Sequence, residues 1–414
     1  MIRKSTIALL LTLTIFANAK PYWPAFHGPE RTNLSSETGL LSNWPEGGPD
    51  LEWTATGIGK GYSSVDVVAD RIYTAGMVND VTCVTALTGD GKIIWQEPAG
   101  KSWHASEQQP WAVAYDGARA TPTVDDGVVY FMSEMGILTA FNAMDGKVIW
   151  SQDLVKTYNA RIPNYGFSES VLVMGNRLFC CPAGDLAYAV ALDKRNGHQI
   201  WSLGGIIDNA GNSSFVPAII EDVPHIINLT AERIFAVNPD DGKLLWDYPF
   251  ASSHLNNATD VIVRNGYVFA STGNGGGCVL VKPERGLDGT FSVKKVWGSD
   301  LMDNHHGGVV LVNDYLYGSG HEARGWFCLD FKTGAQAWNH KKGKGSLTYA
   351  EENLYCLDEH GDMSLVRAIP DSFSLISSFK APKGGRGAFW AHPVVAGGHL
   401  YVRHADHLYA YRIK

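Results

Sequence analysis

Short apolar runs separated by polar turn signals recur along the whole chain, and their recurrence says more than any single run. The segments ATPTVDDGVVYFMS, ESVLVMGNRLFCC, ATDVIVRNGYVFAS, GGVVLVNDYLYGSG and HPVVAGGHLYVRH each predict a strand, a turn of two or three residues and a second strand. Between them lies a second unit: a small residue, any residue, Asp or Asn, three residues, Gly, three residues, Trp. It occurs as AFNAMDGKVIW at Ala140–Trp150, ALDKRNGHQIW at Ala191–Trp201, AVNPDDGKLLW at Ala236–Trp246 and CLDFKTGAQAW at Cys328–Trp338. A copy one residue shorter, ALTGDGKIIW, ends at Trp95, and a longer hairpin ends at Trp297. Each copy reads as a strand, a tight turn with glycine at the positive-φ position, and a strand closing on an indole.

The closing aromatics fall at Trp53, Trp95, Trp150, Trp201, Trp246, Trp297, Trp338 and Phe379, with spacings of 41 to 55 residues. That is the length of a four-stranded propeller blade. The chain ends in HLYAYRIK, one strand short of a blade, whereas LEWTATG around Trp53 is a closing strand with no hairpin before it. The expected fold is therefore all-β: an eight-bladed propeller of four-stranded antiparallel blades, closed by N-terminal strand pairing with the C-terminal blade. Trp53, Trp95, Trp150, Trp201, Trp246, Trp297 and Trp338 are expected to dock neighbouring blades, since an indole offers a large apolar face and one N–H donor. None is a candidate for catalysis.

The first residues break the pattern. Arg3 and Lys4 precede an apolar run from Ile7 to Phe16, and Ala17-Asn18-Ala19 supplies small residues where signal peptidase reads them. The run is too short to span a bilayer and no second one follows, so no transmembrane segment is predicted. No cysteine closely follows the run, which gives no indication of a lipid anchor. The organisation expected is a signal peptide over 1–19 with cleavage after Ala19, an N-terminal extension packed on the propeller over 20–50, and a single propeller over 51–414. The location expected is periplasmic or secreted.

Composition narrows the partners. Forty-five glycines and only 18% charged residues suit a β-rich chain with many tight turns. Without Arg3 and Lys4, 32 basic residues face 42 acidic ones, a formal charge of −10. That balance argues against a nucleic-acid partner, which would want a basic stripe. Six cysteines, far apart except for Cys180-Cys181, are too few for a disulfide-built scaffold. A monomer is the expected state.

The repeat best seen at Cys328–Trp338 resembles the tryptophan-docking unit of the PQQ-like propellers, a family that includes quinoprotein alcohol dehydrogenases and outer-membrane-assembly propeller lipoproteins. Further landmarks of exported PQQ-binding-like repeat proteins are WPAFHGPERTN at Trp23, WPEGGPDLEW at Trp44, GYSSV at Gly61, NHHGGVVLVNDYLYG at Asn304 and WAHPVVAGGHLYVR at Trp390. The resemblance runs from about Trp23 to the C-terminus and implies the fold far more sharply than a function, because one fold hosts many functions. Its enzymes hold Ca²⁺ and PQQ at the propeller mouth with an Asp base, Glu and Asn ligands, an Arg and a Trp floor, often with a disulfide between adjacent cysteines. Cys180-Cys181 lies in a strand-like stretch, where successive side chains diverge, and no other segment reproduces the metal-and-base arrangement. No cofactor is predicted; PQQ with Ca²⁺ is the alternative.

A ligand would sit where loops lead into the innermost strands. Those loops carry Tyr62, Ser63, Arg119, Tyr165, Asn257, Asn304, His305, His306, Lys344, Trp390 and His392, which form the candidate ligand-binding rim. The competing reading is a rim that is polar only because it meets channel water. Adjacent residues leading into a strand diverge, so at most one of His305 and His306 is expected to face the channel, with His254 or His392 as the other possible ligand. No HExxH or clustered Cys/His spacing is present, and no metal site is predicted. Residues 100–119 form the longest departure from the repeat and read either as a lid or as a packed connector. No GxSxG is present, and Gly273–Gly277 joins two strands rather than opening a helix as a phosphate loop would.

Two functions follow. One is an exported binding or scaffold module acting through its axial rim on a protein, a polymer or a small polar ligand, with no catalytic constellation. The alternative is a PQQ/Ca-dependent quinoprotein dehydrogenase-like oxidoreductase acting on an alcohol or sugar.

Overall fold

The computed structural model describes residues 20–105 and 115–414. The signal segment expected over 1–19 lies outside the described residues, as does most of the tip of the 100–119 insertion. Eight antiparallel sheets form the ring. Seven are built from single stretches, 66–101, 123–153, 172–203, 216–249, 262–299, 309–340 and 345–380. The eighth takes three strands from 394–412 and its outermost strand, Leu51–Thr56, from the other end of the chain, paired antiparallel with His407–Arg412. The closure expected from the orphan strand at Trp53 is therefore the one observed.

The repeat has a packing logic. Opposite each closing tryptophan the third strand usually presents a small residue: Ala86 to Trp95, Ala140 to Trp150, Ala191 to Trp201, Ala236 to Trp246, Cys328 to Trp338 and Ala410 to Trp53. The register slips by one residue beside each of these pairs, a β-bulge that turns the indole out of its own sheet towards the next. There the ring lies on the hairpin glycine of the following blade: Trp53 on Gly91, Trp95 on Gly146, Trp150 on Gly197, Trp201 on Gly242 and Trp297 on Gly334. These glycines have φ between 71° and 80°, and a Cβ on Gly146 or Gly197 would stand 2.8 Å from the indole. Five indole N–H groups donate into the hairpin of the following blade, to Ala143, Lys194, Pro239, Phe331 and Ile369, at 2.9–3.1 Å. Trp246 faces a longer hairpin, and its Nε1 has no hydrogen-bond partner among the described residues. Phe379 keeps the pattern with a substitute, since it packs on Gly48 from the N-terminal stretch.

The N-terminal residues do more than complete the ring. Tyr22–Trp23 adds to the innermost strand of the first blade, Asp66–Val68, and Leu34–Ser35 pairs in parallel with the innermost strand of the seventh, Gly345–Ala350. The free edge of an innermost strand faces the axis, so residues 22–35 run through the channel. They are anchored on many sides: the Pro24 carbonyl accepts from Val124, Arg31 Nη1 donates to the Ser170 carbonyl at 2.9 Å, and Ser35 Oγ donates to the Val395 carbonyl at 2.7 Å. All six cysteines are free and buried. Among the described residues no helix is long and apolar enough to cross a membrane.

Candidate functional site

The threaded segment turns the axial channel into a cup. A cavity of about 570 Å³ opens on the face formed by the loops leading into the innermost strands, with Phe26 of the threaded segment in its wall. One half is aromatic. Tyr62, Trp103, Tyr115, Tyr165 and Trp390 come from the first three blades and the eighth. Tyr115 stacks on Trp390 at 5.2 Å and 18°, and Tyr62 lies 5.1 Å from the same indole. Arg119 is set among these rings, with its guanidinium 5.2 Å from Trp103, 5.5 Å from Tyr62 and 5.8 Å from Tyr165. Its Nε donates to the Tyr165 carbonyl and its Nη2 to the Tyr115 carbonyl, both at 2.8 Å, which ties the 100–119 insertion to the third blade.

The other half is polar. Ser168, Asn212, Asn256 and His305 come from the loops leading into the third to sixth blades, and His306 and His392 complete it. Burial, helped by the neighbouring His321 and Lys344, lowers His305 to about 4. Burial and His27 lower His392 to about 3, and His306 is lowered well below the ordinary histidine value by burial and the adjacent imidazoles. The three imidazoles facing the cavity are thus neutral at neutral pH. His392 Nε2 donates to the His306 carbonyl at 2.6 Å, so its Nδ1 accepts from His27 Nε2 at 3.0 Å. His27 Nδ1 in turn faces Asp260 at 3.3 Å. No carboxylate is among the described lining residues.

Beneath the cup lies a buried charge cluster. Arg31, Asp66, Glu169 and Asp260 are each 5% exposed or less. Burial raises Glu169 to about 8 and Asp66 well above the ordinary carboxylate value, although Arg31 opposes both shifts.

Of the rim residues expected from the sequence, Tyr62, Arg119, Tyr165, His305, His306, Trp390 and His392 line this cavity. Ser63, Asn257, Asn304 and Lys344 do not. Ser63 Oγ accepts from the Ala75 N–H and donates to the Ser64 carbonyl. Asn257 donates to the Thr230 and Ala231 carbonyls, and Asn304 to the Ser319 carbonyl, so these two hold loops together inside the protein. Lys344 is held by His321 and Glu359. In one case a neighbour outside the candidate set faces the cup instead, Asn256 beside Asn257, an offset of one position.

The expectation that at most one of His305 and His306 faces the channel is corrected: both line it. The pair lies in a bend before the strand Val309–Val312, so strand alternation does not apply to it. Residues absent from the expected set are Phe26, Trp103, Tyr115, Asn164, Ser168, Ser170, Asn212, Asn256 and the small Ala105 and Ala258. The signal that could have found three of them is periodic: Ser168, Asn212, Asn256 and His305 are separated by 44, 44 and 49 residues, the blade repeat itself.

The donor set does not suit Ca²⁺ with a quinone. Calcium takes six to eight oxygen ligands, largely carboxylate and carbonyl, whereas the described wall offers amides, hydroxyls, imidazoles and a guanidinium. Among the described residues no group of three or more His, Cys, Asp or Glu is placed to hold a metal ion. The carboxylates below, Asp66, Glu169 and Asp260, are buried and are not among the described lining residues. Cys180 and Cys181 are separate buried thiols, with Cys181 Sγ directed to the Tyr188 carbonyl.

The family described as outer membrane protein assembly factor BamB matches residues 44–162 and 79–340. A protein of that name from Moranella endobia is 22% identical over 260 residues, covering 58% of this chain and 62% of its own length. Quinoprotein alcohol dehydrogenase PedH from Pseudomonas putida is 24% identical over 324 residues, covering 70% of this chain and 48% of its own. The chain thus spans about three fifths of the first relative and about half of the second. The crystal structure of BamB from Moraxella catarrhalis superposes with a TM-score of 0.61 at 14% identity, covering 88% of this chain and all of that one, a likeness of fold alone.

Proposed function

Because the chain belongs to the family of the outer membrane protein assembly factor BamB, we propose that it is an exported, non-catalytic binding module that takes a small polar ligand, or a protruding segment of a polymer or protein, in its axial cup. The observation that carries this reading is the cup itself. It is walled by rings on one side and by hydrogen-bonding groups on the other, as a ligand pocket is. It is also poorly equipped for proton transfer. Its imidazoles at about 3 to 4 are weak bases at neutral pH, and no carboxylate stands among the described lining residues to act with them. The relatives named as quinoprotein dehydrogenases keep an oxidoreductase as the second reading, against which the donor set of the wall argues.

Two measurements test the proposal. Titration of the exported chain with a panel of carboxylates, neutral sugars, alcohols and short peptides is expected to give at least one saturable change in tryptophan fluorescence, abolished by Trp390→Ala. A flat response to every probe would overturn the cup as a site. Incubation with PQQ, Ca²⁺, alcohols or sugars and an artificial electron acceptor is expected to give no turnover above the protein-free control. Saturable turnover would replace the first reading by the second.

A further inference from the structure

The hairpin that closes the fifth blade departs from the repeat, and the departure makes a knob beside a hole. In the second, third, fourth and sixth blades one residue pair follows the bulge before the hairpin turns, as with Phe141 and Val148. In the fifth blade five pairs follow it, from Val281–Lys295 to Arg285–Phe291. The four additional pairs carry the tip about 14 Å further. They carry it away from the cup, because the third strand of each antiparallel blade runs towards the opposite face. The tip is fixed by its own bonds. Gly286 N–H donates to the Thr290 carbonyl at 2.8 Å, and Thr290 N–H and Oγ1 donate to Asp288 Oδ1 at 3.0 and 2.7 Å. Leu287 stands fully exposed at this ordered end. Behind it, Phe291 meets His225 of the fourth blade edge to face at 5.1 Å, which braces the hairpin.

The hole lies at the base of the same hairpin, between the fifth and sixth blades. Leu280, Val296, Tyr267 and Phe331 line a cavity of about 170 Å³, with Asp314 and Lys332 beside them. A cavity of ~150 Å³ admits a benzene ring, so this one can take a leucine side chain. In the first and third blades an arginine at the start of the second strand bridges to the next blade: Arg71 to the Ala143 and Met144 carbonyls, Arg177 to Asp240. The fifth blade has Tyr267 at that place, with Lys282 Nζ 5.5 Å from its ring. The additional strand pairs hold Leu287 away from the slot of its own chain. Between knob and hole the hairpin carries Lys282, Glu284 and Lys294, with Glu284 paired to both lysines. Turned about a two-fold axis, that strip sets Glu284 of one copy against Lys294 of the other, and the same turn brings each tip to the other's hole. An anionic lipid surface fits the tip less well, because Asp288 and the neighbouring turn residues Glu221 and Asp222 are exposed beside it.

We propose that two copies of this chain pair about a two-fold axis at this hairpin, each placing Leu287 in the slot between the fifth and sixth blades of the other. The interface lies on the face away from the cup and does not depend on what the cup holds. Sedimentation of the exported chain from about 1 µM to about 1 mM, the range in which a small interface dissociates, tests it. The mass should rise towards that of a dimer, and Leu287→Asp should weaken association roughly tenfold or more. That substitution changes a fully exposed side chain, so the fold itself should be unaffected. Glu284→Lys and Lys294→Glu should each weaken the dimer, whereas an equimolar mixture of the two variants restores both cross-pairs and should associate more strongly than either alone. A chain that stays monomeric over the whole range, a dimer indifferent to Leu287→Asp, or a mixture no better than its components would overturn the proposal. So would binding of the monomer to phosphatidylglycerol vesicles that Leu287→Asp abolishes, which would give the tip to a lipid surface.

Discussion

Two glycines with nearly the same backbone conformation should respond very differently to one added methyl group. Gly334 has φ 71° and Gly127 has φ 75°, so alanine at either position meets the same left-handed penalty, about 1–2 kcal/mol. Their surroundings differ. A Cβ on Gly334 would stand 2.6 Å from both Cδ2 and Cε3 of Trp297, whereas at Gly127 nothing lies within 4 Å. The indole cannot retreat freely, because its Nε1 donates to the Phe331 carbonyl of the same turn at 3.0 Å. Overpacking of this kind adds roughly 1–3 kcal/mol. Gly334→Ala should therefore cost about 2–5 kcal/mol, and Gly127→Ala should cost only the backbone share. Urea unfolding followed by circular dichroism would measure both. A double-mutant cycle with Trp297→Leu isolates the clash, since removing the ring should make Gly334→Ala resemble Gly127→Ala. Equal costs at the two glycines, or strict additivity in the cycle within about 0.5 kcal/mol, would refute the argument that such an indole reads the glycine of the next blade.

The buried charges under the cup give two further expectations. Arg31→Met removes a cation set among Asp66, Glu169 and Asp260 and should destabilise the chain by about 3–5 kcal/mol, measured by the same urea titration. A cost below about 1 kcal/mol would show that the cluster is not held by this residue. The carboxyl of Glu169 is raised to about 8 in the fold, so the folded state holds a proton that the unfolded chain releases near its ordinary value. Its stabilisation is complete below the unfolded value and is lost as pH rises towards 8. Glu169→Gln, which cannot ionise, should flatten that part of the stability–pH profile and leave the remainder to Asp66. An unchanged slope between pH 5 and pH 8 would contradict it.

What the sequence revealed and what it hid divide along a physical line. Blade boundaries were legible because most blades meet the same local problem with the same residues: a small side chain opposite the indole and a glycine under the preceding one. These pairings recur at fixed spacing, so they show as a pattern. The N-terminal stretch meets a problem that occurs once, and its partners are far away. Arg31 reaches Ser170 and Val171, Asn33 reaches Leu347, and His27 reaches Asp260 and His392. No spacing records such contacts. Seven of the eleven candidate rim residues line the cavity, and in one case the neighbour of a candidate faces it, Asn256 beside Asn257, because where alternation begins depends on the bend before each strand. His305-His306 failed for the same reason.

That hidden stretch also explains why the visible ring makes a cup. Between Trp23 and Thr56 a single run of chain pairs with the first blade, contributes Phe26 to the cavity wall, pairs with the seventh blade, places Gly48 under Phe379 and supplies the eighth blade's last strand. Ring closure and cavity wall are thus one covalent piece. A ring closed by Leu51–Thr56 alone would lose the packing of Trp23 in the cluster of Trp53 and of Leu34 in the cluster of Trp338. It would also lose the groups that fill its axis, and His392 Nδ1 would lose its His27 partner. The repeat makes the propeller, and the unrepeated N-terminal segment and 100–119 insertion add the cup's own residues, Phe26, Trp103, Tyr115 and Arg119.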